Sequence, residues 1–257
     1  LQNDVNILSN WGYNNRLCLN KEKCYIVTYS RKEINIIYNY SIEGKHLVRL
    51  DRFKDLGVIF DNKFYFTHHI SDCISKCYKM YGFIFLNCRD FTNASSLILL
   101  FNSLIRSRLE YCALIWFPIY GVHIQQIEAV QRKFLKFVCY LIDNTYPPRG
   151  CDHSILLRRF NCNLLNTRHG ILTIQFLYNV LNNRIDCPYL LNKICFLIPR
   201  INSRHTLTLY PPYCRTNILS RSPLTLMCNH FNLISKACDV NFDCLNHICR
   251  ILLDRLE

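Results

Sequence analysis

Glycine and proline are scarce in this sequence, with seven and eight residues among 257. This composition excludes collagen-like and linker-dominated chains, and a hydrophobic fraction of 50% excludes intrinsic disorder. Long apolar runs are lacking as well. The longest candidates, residues 91–105 and 111–127, are interrupted by polar residues and fall short of about 18 continuous apolar residues. We therefore expect a globular chain without a membrane span, long enough to bury a core.

Common catalytic motifs are also absent from the sequence. It contains no GxGxxG, GxxxxGK[ST], GxSxG or HExxH pattern and no CxxC pair. No two aspartates lie in a strand–turn–strand context that could hold two magnesium ions, as a polymerase requires. The residues by themselves therefore do not predict an enzyme.

Sixteen cysteines are too few for a disulfide scaffold in a chain of this length. We expect reduced, buried thiols in an intracellular protein. Cys238, Cys244, His247 and Cys249 form a C-x5-C-x2-H-x-C pattern, which matches no common zinc module. The same segment fits an amphipathic helix, and we favour the helix over a zinc site.

Basic residues outnumber acidic ones, with 31 Lys and Arg against 18 Asp and Glu and a net charge of +13. Such an excess is typical of proteins that bind a polyanion. A solvated basic surface is the alternative interpretation. Composition alone favours nucleic acid only modestly.

Hydrophobic periodicity predicts an α+β fold. Residues 1–11 fit a helix, and because its pattern starts at the first residue we expect the chain to be part of a longer protein. β-Forming runs then predict a small antiparallel β-meander, in which the last run is a single buried strand. These runs are residues 23–29, 34–42, 47–50 and 54–61.

From residue 67 the apolar period becomes helical. Thr67 is predicted to cap one helix and Thr92 a second, and a third covers residues 122–142. Further helices are predicted near residues 154–160 and 164–182. We expect three divisions, namely residues 1–66, 67–146 and 147–257, with the second boundary at a Pro-Pro-Arg-Gly sequence.

Five segments in order carry a resemblance to a known family. They are LQNDVNILSNWGYNNRLCLNKEKCYIVTYSRK, YSIEGKHLVRLDRFKDLGVIFDNKFYFTHHI, LFNSLIRSRLEYCALIWFPIY, IQQIEAVQRKFLKFV and LNNRIDCPYLLNKICFLIPR. Together they resemble the reverse transcriptase of jockey-like non-LTR retrotransposons (LINE elements), starting just after its catalytic Asp-Asp motif. The resemblance implies a palm end over residues 1–66, a mainly α-helical thumb over 67–146 and a helical C-terminal region.

The resemblance also implies roles for residues in the first division. Lys23, in the sequence LNKEKC, matches the fourth palm motif, where an ammonium could neutralise or protonate the leaving pyrophosphate. Leu56, Gly57 and Val58 match the primer grip, where a glycine allows close approach to the primer end. A solvated lysine at a strand edge and an ordinary buried strand are the alternatives.

In the second division the resemblance points to one helix. Arg132, Lys133 and Lys136, in the sequence QRKFLK, match the thumb helices that follow the template–primer. Cations on one helical face suit phosphate contacts, which give affinity without sequence readout. The alternative is the charged, solvated face that any amphipathic helix has.

The catalytic aspartates, the fingers and the endonuclease of this family are expected upstream of Leu1. We therefore expect no metal and no cofactor in this chain, with Mg²⁺ needed only by the intact parent enzyme, and no polymerase activity from the chain alone. The expected partners are an RNA template, a DNA primer and the missing fingers and palm, with no membrane. The parent element would act in the nucleus and cytoplasm. The alternative is a non-catalytic nucleic-acid-binding protein or a degenerate relic.

Overall fold

The computed structural model describes residues 1–30, 37–118, 120–197 and 207–235. They belong to two compact units, residues 1–71 and 72–257. The described chain is mostly helical with small two-stranded sheets, which confirms the predicted α+β class. No helix in these ranges is long and apolar enough to cross a membrane.

Apart from the start of a helix at Thr67, the described part of the first unit contains one α-helix and short strands. Helix α1 is followed by a 3-10 turn at Lys21–Lys23, in which the Asn20 side chain accepts a hydrogen bond from the Glu22 amide at 3.0 Å. The elements are α1 (Gln2–Asn14), β1 (Tyr25–Ile26), β2 (Ser41–Ile42), β3 (Lys45–His46), β4 (Val48–Arg49), β5 (Arg52–Asp55) and β6 (Val58–Asp61).

These strands form three separate pairs. β2 pairs with β3 and β5 with β6, both antiparallel, whereas β1 pairs with β4 in parallel. Within the described residues, the predicted antiparallel meander is therefore present only as two hairpins, and residues 34–36 of its second run lie outside them. The connection from β1 to β4 contains the whole β2–β3 hairpin, which gives the chain the length it needs to return in the same direction.

The predicted single strand over residues 54–61 is wrong. The chain reverses at Leu56 and Gly57, whose φ angles are 44° and 89°, and Asp55 pairs with Val58. Positive φ at both central residues is the pattern of a type I′ hairpin turn. Leu56 is 83% exposed at the tip, whereas Val58 is buried. Leucine is an unusual residue in such a turn. The apolar pattern of residues 54–61 therefore predicted one continuous strand instead of a hairpin.

The helical part of the chain follows the predicted periodicity. A helix is present where the first was predicted, but Thr67 is its first residue rather than its cap, and the Ile70 amide donates to the Phe66 carbonyl at 2.9 Å. The predicted third helix is the longest one in the described ranges. The cap of the second helix is Asn93 rather than Thr92, because the Asn93 side chain accepts the Ser95 amide at 2.9 Å. The helices are α2 (Thr67–Asn87), α3 (Ala94–Leu100), α4 (Ser107–Glu110), α5 (Ala113–Trp116), α6 (Gly121–Asp143), α7 (His153–Arg159), α8 (Leu165–Leu181), α9 (Pro188–Leu191), α10 (Asn217–Ser220) and α11 (Pro223–Ile234). A π-helical segment, Phe101–Arg106, joins α3 to α4.

Aromatic and aliphatic side chains form the core of the second unit. The Phe101 and Phe134 ring centres are 4.9 Å apart and those of Tyr81 and Phe137 5.9 Å, which joins α2, the π-helical segment and α6. Leu135 of α6 packs with Leu156 of α7, on the other side of the predicted boundary at residue 147. The three predicted divisions stay predictions. A further cluster unites α8 with α11 through Ile174, Leu177, Phe231 and Ile234.

Candidate nucleic-acid interface

Lys133 lies against two tyrosine rings of α2. Its Nζ is 5.0 Å from the ring centre of Tyr78 and 5.2 Å from that of Tyr81. Both distances are within the range of a cation–π interaction. Burial, with a smaller effect of Tyr146, raises the pKa of Tyr81 to about 12, so this phenol stays neutral near pH 7. The lysine is thus held on an aromatic surface that carries no negative charge.

The same side of α6 carries two more cations and a tyrosine. Arg132, Lys136 and Tyr140 follow one another at intervals of four residues, so they lie along one side of the helix. The rings of Tyr140 and Tyr146 are 6.2 Å apart. We call this surface the basic–aromatic face, and its members are Tyr78, Tyr81, Arg132, Lys133, Lys136, Tyr140 and Tyr146.

The charge of Arg132 acts on the buried Glu128 carboxyl, but the cations of the basic–aromatic face form no close ion pairs in the described part of the chain. Within the described ranges no ion pair involves Arg132, Lys133 or Lys136. Other cations of the second unit are paired, as shown by Arg159, whose Nη1 is 2.6 Å from Asp143 Oδ2. The face therefore retains a positive charge that a phosphate backbone could neutralise.

Two buried polar side chains of α6 fix the helix in the core. Glu128 Oε1 accepts the Asn166 amide at 2.9 Å, and Gln131 Nε2 donates to the Asn163 carbonyl at 3.1 Å. Burial raises the pKa of the Glu128 carboxyl. Gln131 is 1% exposed, so it cannot belong to the interface although it opens the QRKFLK motif. The buried polar contacts hold the exposed cations in a defined orientation.

A second group of charged residues near the π-helical segment is structural. Glu110 accepts hydrogen bonds from Arg168, with Oε2 3.0 Å from Nη2, and its Oε1 lies 3.8 Å from Arg106 Nε. Burial, and next the nearby Arg168 charge, lower the pKa of Arg106. These partly buried pairs tie α4 to α8.

In the first unit, Lys23 and the β5–β6 hairpin line one open groove. The groove has a volume of about 890 Å³ and includes Lys23, Lys54 and Asp55, with the apolar side chains of Val5 and Leu8 from α1. Leu56 and Gly57 form the tip of that hairpin. Of the sequence-predicted palm residues, Lys23 lines this groove, whereas Leu56, Gly57 and Val58 are not among its described lining residues.

Two carboxylates of the first unit, those of Asp51 and Asp61, take part in local hydrogen bonds. No group of three or more His, Cys, Asp or Glu side chains that could hold a metal ion occurs within the described ranges. Asp61 Oδ2 accepts the amide of Phe66 at 2.6 Å, and Asp51 accepts Asn62 Nδ2 at 3.1 Å, so these carboxylates serve the backbone and a turn. The Cys238, Cys244, His247 and Cys249 pattern lies outside the described residues.

The sequence identified the cations of the basic–aromatic face but not its tyrosines. Tyr140 was detectable from its four-residue spacing to Lys136, whereas Tyr78 and Tyr81 come from another helix more than fifty residues earlier. No protein-family model, curated protein or solved structure shows a significant match to the chain. The resemblance to a retrotransposon reverse transcriptase therefore stays a prediction.

Proposed function

We propose that this chain binds nucleic acid through the basic–aromatic face, as the palm-end and thumb portion of a retrotransposon RNA-directed DNA polymerase. The observation that carries the proposal is Lys133 resting on Tyr78 and Tyr81 with no carboxylate at ion-pair distance in the described chain. Tyr78 and Tyr81 are half-buried, whereas Tyr140 and Tyr146 are 45% and 57% exposed. The face thus combines cations that suit phosphates with rings on which bases can stack. Such contacts hold a strand without reading its sequence.

The groove of the first unit supports the same proposal. Lys23 lines an open groove together with Lys54 and Asp55 of β5, the strand that leads into the Gly57 turn, and an ammonium in such a groove suits the phosphates of a primer end. The α1 side chains Leu8 and Trp11 are 54% and 55% exposed. Exposed apolar groups of this size mark a surface for a further protein partner. In this proposal that partner is the remainder of the palm, which brings the aspartates that bind Mg²⁺.

Salt-dependent binding tests the proposal. A labelled RNA template–DNA primer is titrated with the chain at several salt concentrations, and fluorescence anisotropy gives the dissociation constant. We expect the K133Q/K136Q double variant to weaken binding at least tenfold. We also expect it to reduce the slope of log affinity against log salt by about two, one for each lost phosphate contact.

Lys193 provides a matched control. Its Nζ lies 5.4 Å from the centre of the exposed Tyr189 ring, so it also forms a lysine–tyrosine contact but does not belong to α6. The K193Q variant should keep both the affinity and the salt slope. Equal losses in K193Q and K133Q/K136Q would show that net charge, rather than the basic–aromatic face, determines binding, and would refute the proposal.

The alternative function is non-catalytic nucleic-acid binding, which the +13 charge also favours. The polymerase-thumb function and the non-catalytic binding function differ in the nucleic-acid geometry that they prefer. A polymerase thumb prefers the duplex end of a recessed primer, whereas a general binding protein treats single strands and blunt duplexes alike. Primer extension with Mg²⁺ by this chain alone would contradict our expectation that it is inactive without the missing aspartates.

A further inference from the structure

Two histidines and an arginine line a cavity in the second unit that the proposed function does not use. The cavity has a volume of about 180 Å³, and its lining includes His169, His230, Arg221, Phe117 and Asn166. This volume is large enough for a small ion with several waters. It is also too small for a strand of nucleic acid, so any ligand differs from that of the basic–aromatic face.

His169 is fixed with one ring nitrogen free. Its ring stacks on Phe117 at 4.0 Å with an interplanar angle of 8°, and it is 6% exposed. The ring hydrogen-bonds to the backbone of Ala113, while Nε2 is buried without a partner in the described chain. Because the other nitrogen already donates, Nε2 of the neutral ring has a lone pair to offer.

His230 presents a second unsatisfied nitrogen. Its Nδ1 is buried and has no partner among the described residues. Burial lowers the pKa of both imidazoles, to about 4 for His169, where the charge of His230 also contributes. Both rings are therefore neutral near pH 7. Unsatisfied buried polar groups of this kind are costly unless a ligand or water completes them.

The charge of the cavity selects the ligand. Its described titratable lining groups are His169, His230 and Arg221, and no carboxylate is among them. A divalent cation would be repelled by the guanidinium and would find only two protein ligands. A phosphate with an ionisable O–H has oxygens that attract Arg221 and a proton that an imidazole nitrogen accepts.

We propose that this cavity binds inorganic phosphate or a phosphate monoester and retains one proton between the phosphate and an imidazole. The phosphate O–H donates a hydrogen bond to the imidazole nitrogen, and the proton can shift from the oxygen to the nitrogen along it. No other covalent bond changes. A phosphodiester cannot bind in this way because it has no O–H. The shared chemistry is a protonated phosphate group, whether it comes free or on a small metabolite.

Phosphate titration followed by the histidine ring resonances in ¹H–¹⁵N NMR spectra tests the proposal. At pH 6.5 we expect inorganic phosphate to shift the His169 and His230 rings saturably, and sulfate to bind at least tenfold more weakly because it has no proton to share. A dinucleotide phosphodiester should not bind. R221Q should weaken phosphate binding about tenfold, the usual effect of one charge-assisted hydrogen bond.

Matched variants complete the test. R215Q removes an exposed arginine that lies over the Tyr213 ring instead of lining the cavity, and it should leave phosphate binding unchanged. The K133Q/K136Q variant should also leave phosphate binding unchanged. That result would show that the cavity and the basic–aromatic face bind their ligands independently. Phosphate shifts that fail to saturate, an unaffected R221Q variant, or tight binding of zinc instead of phosphate would each overturn the proposal.

Discussion

Lys133 Nζ lies 5.0 Å from the centre of the Tyr78 ring, which places a cation of α6 on an aromatic side chain of α2. The position of the Lys133 charge on the basic–aromatic face therefore depends on how α2 packs against α6. If the ring positions the ammonium for a phosphate, removing the ring weakens binding even though the charge remains.

We therefore predict that Tyr78→Leu lowers affinity for an RNA–DNA duplex about fivefold and costs about 1 kcal/mol of folding stability. Anisotropy titration and urea denaturation measure the two effects. Tyr189→Leu, at the Lys193 pair, should lower stability by a similar amount and leave affinity unchanged. A loss of affinity in both variants would show a general effect of stability.

The Gly57 turn gives a prediction about backbone conformation. Gly57 has a φ of 89°, where a side chain is strained, so Gly57→Ala should destabilise the first unit by about 1 kcal/mol. Gly82 lies inside α2 with nothing within 4 Å of an added Cβ, so Gly82→Ala should stabilise by about the same amount. Urea denaturation of both variants should give changes of opposite sign, and two changes of the same sign would contradict this interpretation.

Asp61 is predicted to be the most important carboxylate of the first unit. Its oxygens accept the amides of Lys63, Tyr65 and Phe66 at 3.0, 3.1 and 2.6 Å, at the approach to α2. Asp61→Ala should cost about 2 kcal/mol in urea denaturation because three donors lose their acceptor together. Asp72→Ala, which removes only an exposed pair with Lys76, should cost less than about 0.5 kcal/mol.

Stability should decrease on acidification because His169 is buried in its neutral form. Its pKa is lowered from 6.5 to about 4, so between these values the unfolded chain binds more protons than the folded one. The free energy of unfolding should fall by about 3 kcal/mol from pH 7 to pH 4 on account of this ring.

Thermal or urea denaturation across that pH range measures the effect. His169→Phe, which retains an aromatic ring for stacking on Phe117, should flatten the dependence, whereas His68→Gln at an exposed site should leave it unchanged. A dependence of equal steepness in His169→Phe would assign the acid sensitivity to other groups. His153, whose pKa burial also lowers to about 4, acts in the same direction and remains in both variants.

Periodicity predicted the long helices well because it reports directly on a buried face. In α6, Ile127, Val130 and Phe134 recur at steps of three and four residues, and all three are buried. The hairpin over residues 54–61 was not predictable in the same way, since its turn depends on the positive φ of a leucine. Local sequence patterns describe faces and caps better than unusual backbone angles.

Only the cations of the basic–aromatic face were predictable from the sequence. Arg132, Lys133 and Lys136 are close in sequence, so helical spacing alone places them together. The tyrosines of α2 and the presence of His169 and His230 in one cavity depend on contacts between helices, which a single sequence does not reveal. The parallel pairing of β1 with β4 is a long-range arrangement of the same kind.

The π-helical segment Phe101–Arg106 makes the chain between α3 and α4 sensitive to length. A π-turn accommodates one more residue than an α-turn, so deleting one residue there would restore a regular α-helix. Because the π-turn absorbs the extra residue, that deletion would keep the register of α4, whereas one further added residue would rotate α4 by about 100° and turn Glu110 away from Arg168. This segment thus tolerates the loss of one residue better than the gain of one.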